Sequence, residues 1–172
     1  MFPLRLAARQ VLLRIHRGVY RVGHIAHCAE ARYLAAILAC GPGAVLSGRP
    51  AAHLHGLING SPPPPEVTAP TERRVKGVRC RRYRSLDPSE VTQSNGIPVT
   101  TVPRTLVDLA GTLGPNELAR ACHQATVRFR TSPDAVEAVL SHRPASPGAA
   151  TLRAVLHGDV KVTLCALERR FL

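Results

Sequence analysis

Asn95-Gly96-Ile97-Pro98-Val99-Thr100-Thr101-Val102-Pro103-Arg104-Thr105-Leu106-Val107-Asp108-Leu109-Ala110 is the stretch on which the fold turns. Asn-Gly marks a tight turn, because both residues tolerate positive φ. Ile97 to Thr100 then reads as a short strand. Pro103 opens a helix over 103–110, with Leu106, Leu109 and Ala110 facing inward. Strand signals gather upstream of this stretch and helical ones downstream. That segregation predicts an α+β fold, a mixed α/β region with a helical C-terminal part.

Downstream, Pro115 opens a second helix. Leu118, Ala121, Cys122, Ala125 and Phe129 recur at i, i+3, i+4, i+7 and i+11 and define its inner face. Ser132-Pro133-Asp134 is an N-cap signature for a third, with Val136, Val139 and Leu140 inward. Leu152, Val155 and Leu156 mark a fourth. Thr163 caps a last helix carrying Leu164, Leu167 and Phe171, which runs to the final residue without a C-cap.

Upstream, residues 4–12 read as a short basic helix. Residues 13–23 read as two strands about a turn at Arg17-Gly18, with Leu13 and Ile15 alternating with Arg14 and His16. A helix over 28–40 carries the apolar stripe Leu34, Ile37 and Leu38 and stops at Gly41-Pro42. Ala44-Val45-Leu46 is a buried strand, and Pro50 opens a helix over 50–55 ended by Gly56. The proline-rich run Ser61 to Pro65 is a loop or a seam between domains. Glu66-Val67-Thr68 and Val78 to Arg84 are further strands, the latter with Val78 and Cys80 on one face.

The chain of 172 residues is long enough for one large domain or two small ones. Its longest uncharged stretch, Tyr33 to Gly48, is broken at Gly41-Pro42-Gly43 and too short to span a bilayer. Arg5, Arg9 and Arg14 interrupt every run that a signal peptide would need. The formal charge is +12, from 23 basic against 11 acidic side chains. Arginine dominates, since Lys76 and Lys161 are the only lysines, and a GC-rich genome accounts for part of that. Base composition does not explain the distribution. Residues 1–86 hold 14 basic and 3 acidic groups, whereas 87–172 hold 9 and 8. A lopsided basic half is the footprint of a polyanion partner, most often nucleic acid; the plainer reading is a solvated surface.

Two segments concentrate that charge. Arg5, Arg9, Arg14, Arg17 and Arg21 precede the first acid, Glu30, and their helix-plus-ribbon setting has the form of a recognition helix followed by a wing. Residues 73–84 hold Arg73, Arg74, Lys76, Arg79, Arg81, Arg82 and Arg84, with Tyr83 as a stacking surface. On a strand, Arg79 and Arg81 share one face and Arg82 and Arg84 the other. The competing reading is an edge strand kept from aggregating by charge.

Catalytic signatures are missing. No nucleophile elbow, Walker loop, dinucleotide fingerprint or HExxH is present, and the few carboxylates are scattered, where a metal-dependent nuclease needs them clustered. The five cysteines lie 12, 40, 42 and 43 residues apart with no Cys-x-x-Cys, so they read as small buried residues in a reducing cytosol. His24, His27, Cys28, His53 and His55 match no zinc pattern. No cofactor, metal or catalytic residue is expected.

Several blocks carry a family resemblance. His16-Arg17-Gly18-Val19-Tyr20-Arg21-Val22-Gly23 resembles the wing of the AbiEi-type antitoxin regulators of type IV toxin–antitoxin systems. Leu38 to Ser47, Ala51 to Leu57, Gly96 to Thr101 and Arg104 to Ala110 resemble successive later blocks of that family, in order. The resemblance implies a winged helix-turn-helix that binds double-stranded DNA upstream of its own operon, in the cytoplasm. It also implies a functional pairing with a nucleotidyltransferase toxin. Operator palindromes mirror protein symmetry, so a homodimer is the matching oligomer, although no heptad signals one. The DNA contacts implied are Arg5, Arg9, Arg14, Arg17 and Arg21, then Arg79, Arg81, Arg82 and Arg84.

Many relatives continue into a nuclease of the very-short-patch-repair type, and residues 165–172 resemble the segment that joins the two. Glu168 then falls on the nuclease's first helix, with no further carboxylate after it. The sequence is expected to be cut at both ends: residues 1–27 a partial winged helix, 28–160 an α/β region and 161–172 a nuclease stub. The alternative function is the non-catalytic N-terminal region of a restriction or repair endonuclease.

Overall fold

The computed structural model describes residues 12–22, 28–83 and 86–158. The expected helix at 163–171 lies outside them, and so does that at 4–12 except for Leu12, which belongs to a strand; Arg5, Arg9, Arg84, Cys165 and Glu168 are likewise outside. The fold is α+β, with one antiparallel hairpin, one mixed sheet and six helices among the described residues.

Strands β1 (Leu12–His16) and β2 (Val19–Val22) form the separate antiparallel hairpin. The turn is at Arg17-Gly18, where Gly18 takes φ +78°. Leu12, Arg14, Tyr20 and Val22 share the outer face through the pairs Leu12–Val22 and Arg14–Tyr20. A register slip between Arg14 and His16 interrupts the alternation, and Ile15 is left exposed rather than half-buried.

Helix α1 (Ala29–Cys40) follows, then β3 (Val45–Leu46), α2 (Gly48–Leu54), β4 (Glu66–Ala69) and β5 (Arg79–Arg82). A short 3₁₀ turn (Pro88–Glu90) leads into β6 (Val91–Ser94) and β7 (Ile97–Thr100). The five strands pair in the order β5-β4-β3-β7-β6. β3 runs parallel to β7 and β4 parallel to β5, while β3–β4 and β6–β7 are antiparallel. β6 has no strand signature of its own. It is a strand because Asn95 (φ 50°) and Gly96 (φ 74°) turn the chain back along β7. The Ser61–Pro65 run is no seam, since it connects α2 to a strand of the same sheet as β3. Tyr33 and Arg32 of α1 donate hydrogen bonds to its carbonyls at Pro62 and Pro63.

α1 packs on this sheet through Tyr33, Ala36, Ile37 and Cys40; of the expected stripe Leu34, Ile37 and Leu38, Ile37 faces the sheet and the two leucines do not. Leu34 and Leu38 are 39% and 60% exposed. Both stripes fit helical spacing. The alanine-lined one approaches the sheet because small side chains admit a close backbone, and Val67, Leu46 and Val99 then fill against Tyr33. α2 begins at Gly48 rather than Pro50, and Pro50 sits within the first turn, where its missing N–H costs nothing.

Helices α3 (Val102–Ala110), α4 (Pro115–Phe129), α5 (Pro133–Ser141) and α6 (Ala149–Leu156) build a second core. Leu106, Leu109, Leu118, Leu140 and Leu152 are all but fully buried there, each contributing about 2 kcal/mol of burial. The Ser132 hydroxyl caps α5 by accepting the Ala135 N–H at 3.2 Å. Phe129, expected inward, is 45% exposed; its ring meets His55 edge-on with centroids 5.7 Å apart. α2 joins the two cores, giving Ala51 to the first and Ala52 to the second.

Candidate nucleic-acid interface

The two basic segments, separated by more than fifty residues, meet in space. Arg14, His16 and Arg17 of the hairpin and Arg73, Arg74 and Lys76 of the loop before β5 line one cleft of about 600 Å³, floored by Ala39 and Val75. Its lining holds no acidic side chain among the described residues. Among the described residues no carboxylate lies within ion-pair distance of Arg14, Arg17, Arg73, Arg74 or Lys76. The Arg73 guanidinium packs over Gly41, at the carboxyl end of α1, where the helix dipole favours a cation. Glycine is favoured there by φ +94°, and a Cβ would lie 3.2 Å from the Arg73 Cζ, a contact that a small shift of that side chain would relieve. The Gly41 that stops the helix thus also seats an arginine of the cleft.

Arg21 lies on β2, on the inner side of the hairpin, and does not line this cleft. Arg79 and Arg81 do share a face of β5, as the alternation demanded, but that face is partly neutralised. Both approach Glu66 Oε2, at 3.9 and 3.6 Å. Arg82 is exposed on the opposite face, which it shares with Cys80. β5 is the sheet's edge strand, so the charge-protected-edge reading describes its position.

A second cluster of arginines escaped the sequence reading altogether. Arg104 on α3 is 5% exposed and donates from Nη1 to Glu90 Oε2 at 2.6 Å and from Nε to Asp108 Oδ1 at 3.1 Å. Arg143, after α5, donates to the same Glu90 oxygen at 2.6 Å. Both guanidiniums lie against the Tyr83 ring, 5.3 and 4.4 Å from its centroid. Tyr83 was expected to offer stacking to a ligand; here it stacks on the protein's own arginines. Burial pushes the Asp108 carboxyl above the ordinary aspartate range, against the pull of Arg104. Burial likewise depresses the Arg143 guanidinium. The only sequence signal for this cluster was the i,i+4 spacing of Arg104 and Asp108 within a helix otherwise apolar on that side.

His24, His27 and Cys165 lie outside the described residues, and the described thiols and imidazoles do not assemble into a metal site. Cys28 donates to Glu30 at 2.6 Å, His53 Nε2 meets Gly60 O at 3.2 Å and His55 Nε2 meets Thr100 O at 2.8 Å. Among the described residues no three metal-binding side chains converge. Burial raises the Cys40 thiol to about 12 and that of Cys122 to about 11, so both are poor nucleophiles. No helix among the described residues is long and apolar enough to cross a membrane.

The fold and this cleft define an α+β protein with a cationic cleft between a hairpin and a sheet-edge loop. The chain matches no family model, no curated protein and no solved structure.

Proposed function

We propose that the chain is a DNA-binding regulator of the AbiEi antitoxin type, acting in the cytoplasm on double-stranded DNA upstream of its own operon and without catalysis of its own. One observation carries the reading: the hairpin and the 73–76 loop turn five cationic side chains toward one cleft that no carboxylate among the described residues lines. With no counter-charge held there, the cations are free to displace the counterions of a phosphate backbone, and that release supplies much of the affinity for nucleic acid. A two-stranded ribbon with arginines near its tip has the shape of a wing that follows the backbone or enters the minor groove. Arg14 and Arg17 are the primary contacts and Arg73, Arg74 and Lys76 the continuation of the same track; Arg79, Arg81 and Arg82 are secondary, the first two weakened by Glu66. Pairing with a nucleotidyltransferase toxin and a homodimeric state belong to the same proposal.

The test is the salt dependence of duplex binding, followed by fluorescence anisotropy on the DNA flanking the gene. Replacing Arg17 and Arg74 together by Ala should weaken binding on every sequence. The slope of log K against log salt should shallow by about 0.9 for each phosphate that the variant no longer neutralises. An unchanged slope removes the cleft from the interface.

A further inference from the structure

Cys40 ends α1 and is fully buried, whereas Cys80 is half-buried on the edge strand β5. They lie 40 residues apart in the chain. The sheet brings them together. β5 runs parallel to β4 with Cys80 opposite Val67, and Val67 lies in the apolar cluster that α1 covers with Tyr33, Ala36, Ile37 and Cys40. Cys80 packs against that same cluster from the sheet edge, as do Val75 and Val78. Both thiols are free, and a hydrogen bond joins them. The other described cysteines are placed differently: Cys28 donates to Glu30, and Cys122 is buried in the helical core.

We propose that Cys40 and Cys80 form a redox-active dithiol, a modification site at which a hydroperoxide installs a reversible disulfide between α1 and β5. Access sets the order of events. Cys80 is the thiol that solvent reaches, so its sulfur takes an oxygen from the peroxide. The O–O bond breaks, Cys80 becomes a sulfenic acid, and hydrogen peroxide leaves as water. The adjacent Cys40 sulfur then attacks that of Cys80. The S–S bond forms, the S–OH bond breaks, and the hydroxyl departs as water with the Cys40 proton. Burial pushes the Cys40 thiol up to about 12, which keeps it from meeting the oxidant first, while Arg73 over Gly41 offsets part of that burial. Two molecules of a small thiol such as glutathione reduce the bond and leave as their own disulfide. Transient bonds of this kind are the usual disulfides of reducing compartments. Ala39 and Gly41, which flank Cys40, floor the basic cleft and seat Arg73, yet the dithiol chemistry is independent of any DNA contact.

The test exposes the full folded chain to a few equivalents of hydrogen peroxide, blocks the remaining thiols by alkylation and maps the peptides without reduction. Cys40 and Cys80 should be recovered joined to each other, and glutathione added before the block should return both as alkylated thiols. Dimedone traps the sulfenic acid. In the unsubstituted chain Cys40 consumes that species, so Cys40→Ala should raise dimedone labelling of Cys80 at least tenfold. Alanine suits the small-residue stripe of α1, and circular dichroism should show the native fold. In Cys80→Ser, Cys40 should stay unlabelled at the same dose, because solvent does not reach it. Failure to recover the Cys40–Cys80 pair from folded protein would overturn the proposal. So would equal labelling of Cys80 in the unsubstituted chain and in Cys40→Ala. Linkage confined to Cys28 or Cys165 would overturn it as well, by assigning the reactive thiols to other positions.

Discussion

Arginine plays two opposite parts in this molecule. At the hairpin and the 73–76 loop, Arg14, Arg17, Arg73 and Arg74 are exposed and face no carboxylate. At the junction of β5, the 3₁₀ turn, α3 and the loop after α5, Arg104 is buried and Arg143 half-buried, and both share Glu90 and stack on Tyr83. The first arrangement leaves charge available to a partner. The second consumes it inside the protein, where each guanidinium has given up its water and needs its carboxylate. The same residue type therefore predicts binding in one place and cohesion in the other, and the neighbour that tells them apart is Glu90, distant in sequence from Arg143.

The comparison breaks most sharply at Glu90. Glu90→Ala leaves the buried Arg104 and the half-buried Arg143 without their shared partner, and urea unfolding should show a loss of about 3 kcal/mol. A loss below about 1 kcal/mol would mean the cluster is not a cohesive element. Next comes Arg104→Lys. An ammonium cannot serve Glu90 and Asp108 from two edges of a plane while lying against Tyr83, so the expected cost is about 2 kcal/mol despite the retained charge.

Acidification probes another buried base, His55. Burial depresses its pKa, against the opposing effect of its bond to Thr100. The unfolded chain then takes up this proton first as pH falls. Stability should be flat with respect to His55 above the ordinary value of about 6.5 and should decline below it until the folded value is passed, by at most about 1.4 kcal/mol per pH unit. His55→Gln, which keeps a donor for Thr100, should flatten the decline between pH 7.5 and 5.5. Asp108 has the opposite sign. Its raised pKa means that its contribution is present near the ordinary aspartate value and lost as pH rises through the folded one. The smallest effect is expected at the cleft: Arg74→Ala should change stability by less than about 0.5 kcal/mol. A larger loss would show that cleft arginines, too, hold the fold together.

Local chemistry was legible wherever one or two residues impose it. Ser132-Pro133 starts α5, Gly41 stops α1 and Arg17-Gly18 turns the hairpin, each through its own backbone preference. Register was harder. In α1 the stripes Leu34–Leu38 and Tyr33–Ala36–Ile37–Cys40 obey the same period, and nothing local ranks them. β6 was invisible because Val91-Thr92-Gln93-Ser94 becomes a strand only by pairing with β7.

The sequence by itself determined the α+β segregation, the basic first half and the identity of both cationic segments, because these follow from composition, period and turn chemistry. Only the tertiary structure decided which arginines face outward. It brought residues 14–17 beside 73–76, set Glu66 against Arg79 and Arg81, and closed Glu90 over Arg104 and Arg143. The reason is range: a side chain's charge is written locally, but its counter-charge is supplied by whichever strand or helix packs against it.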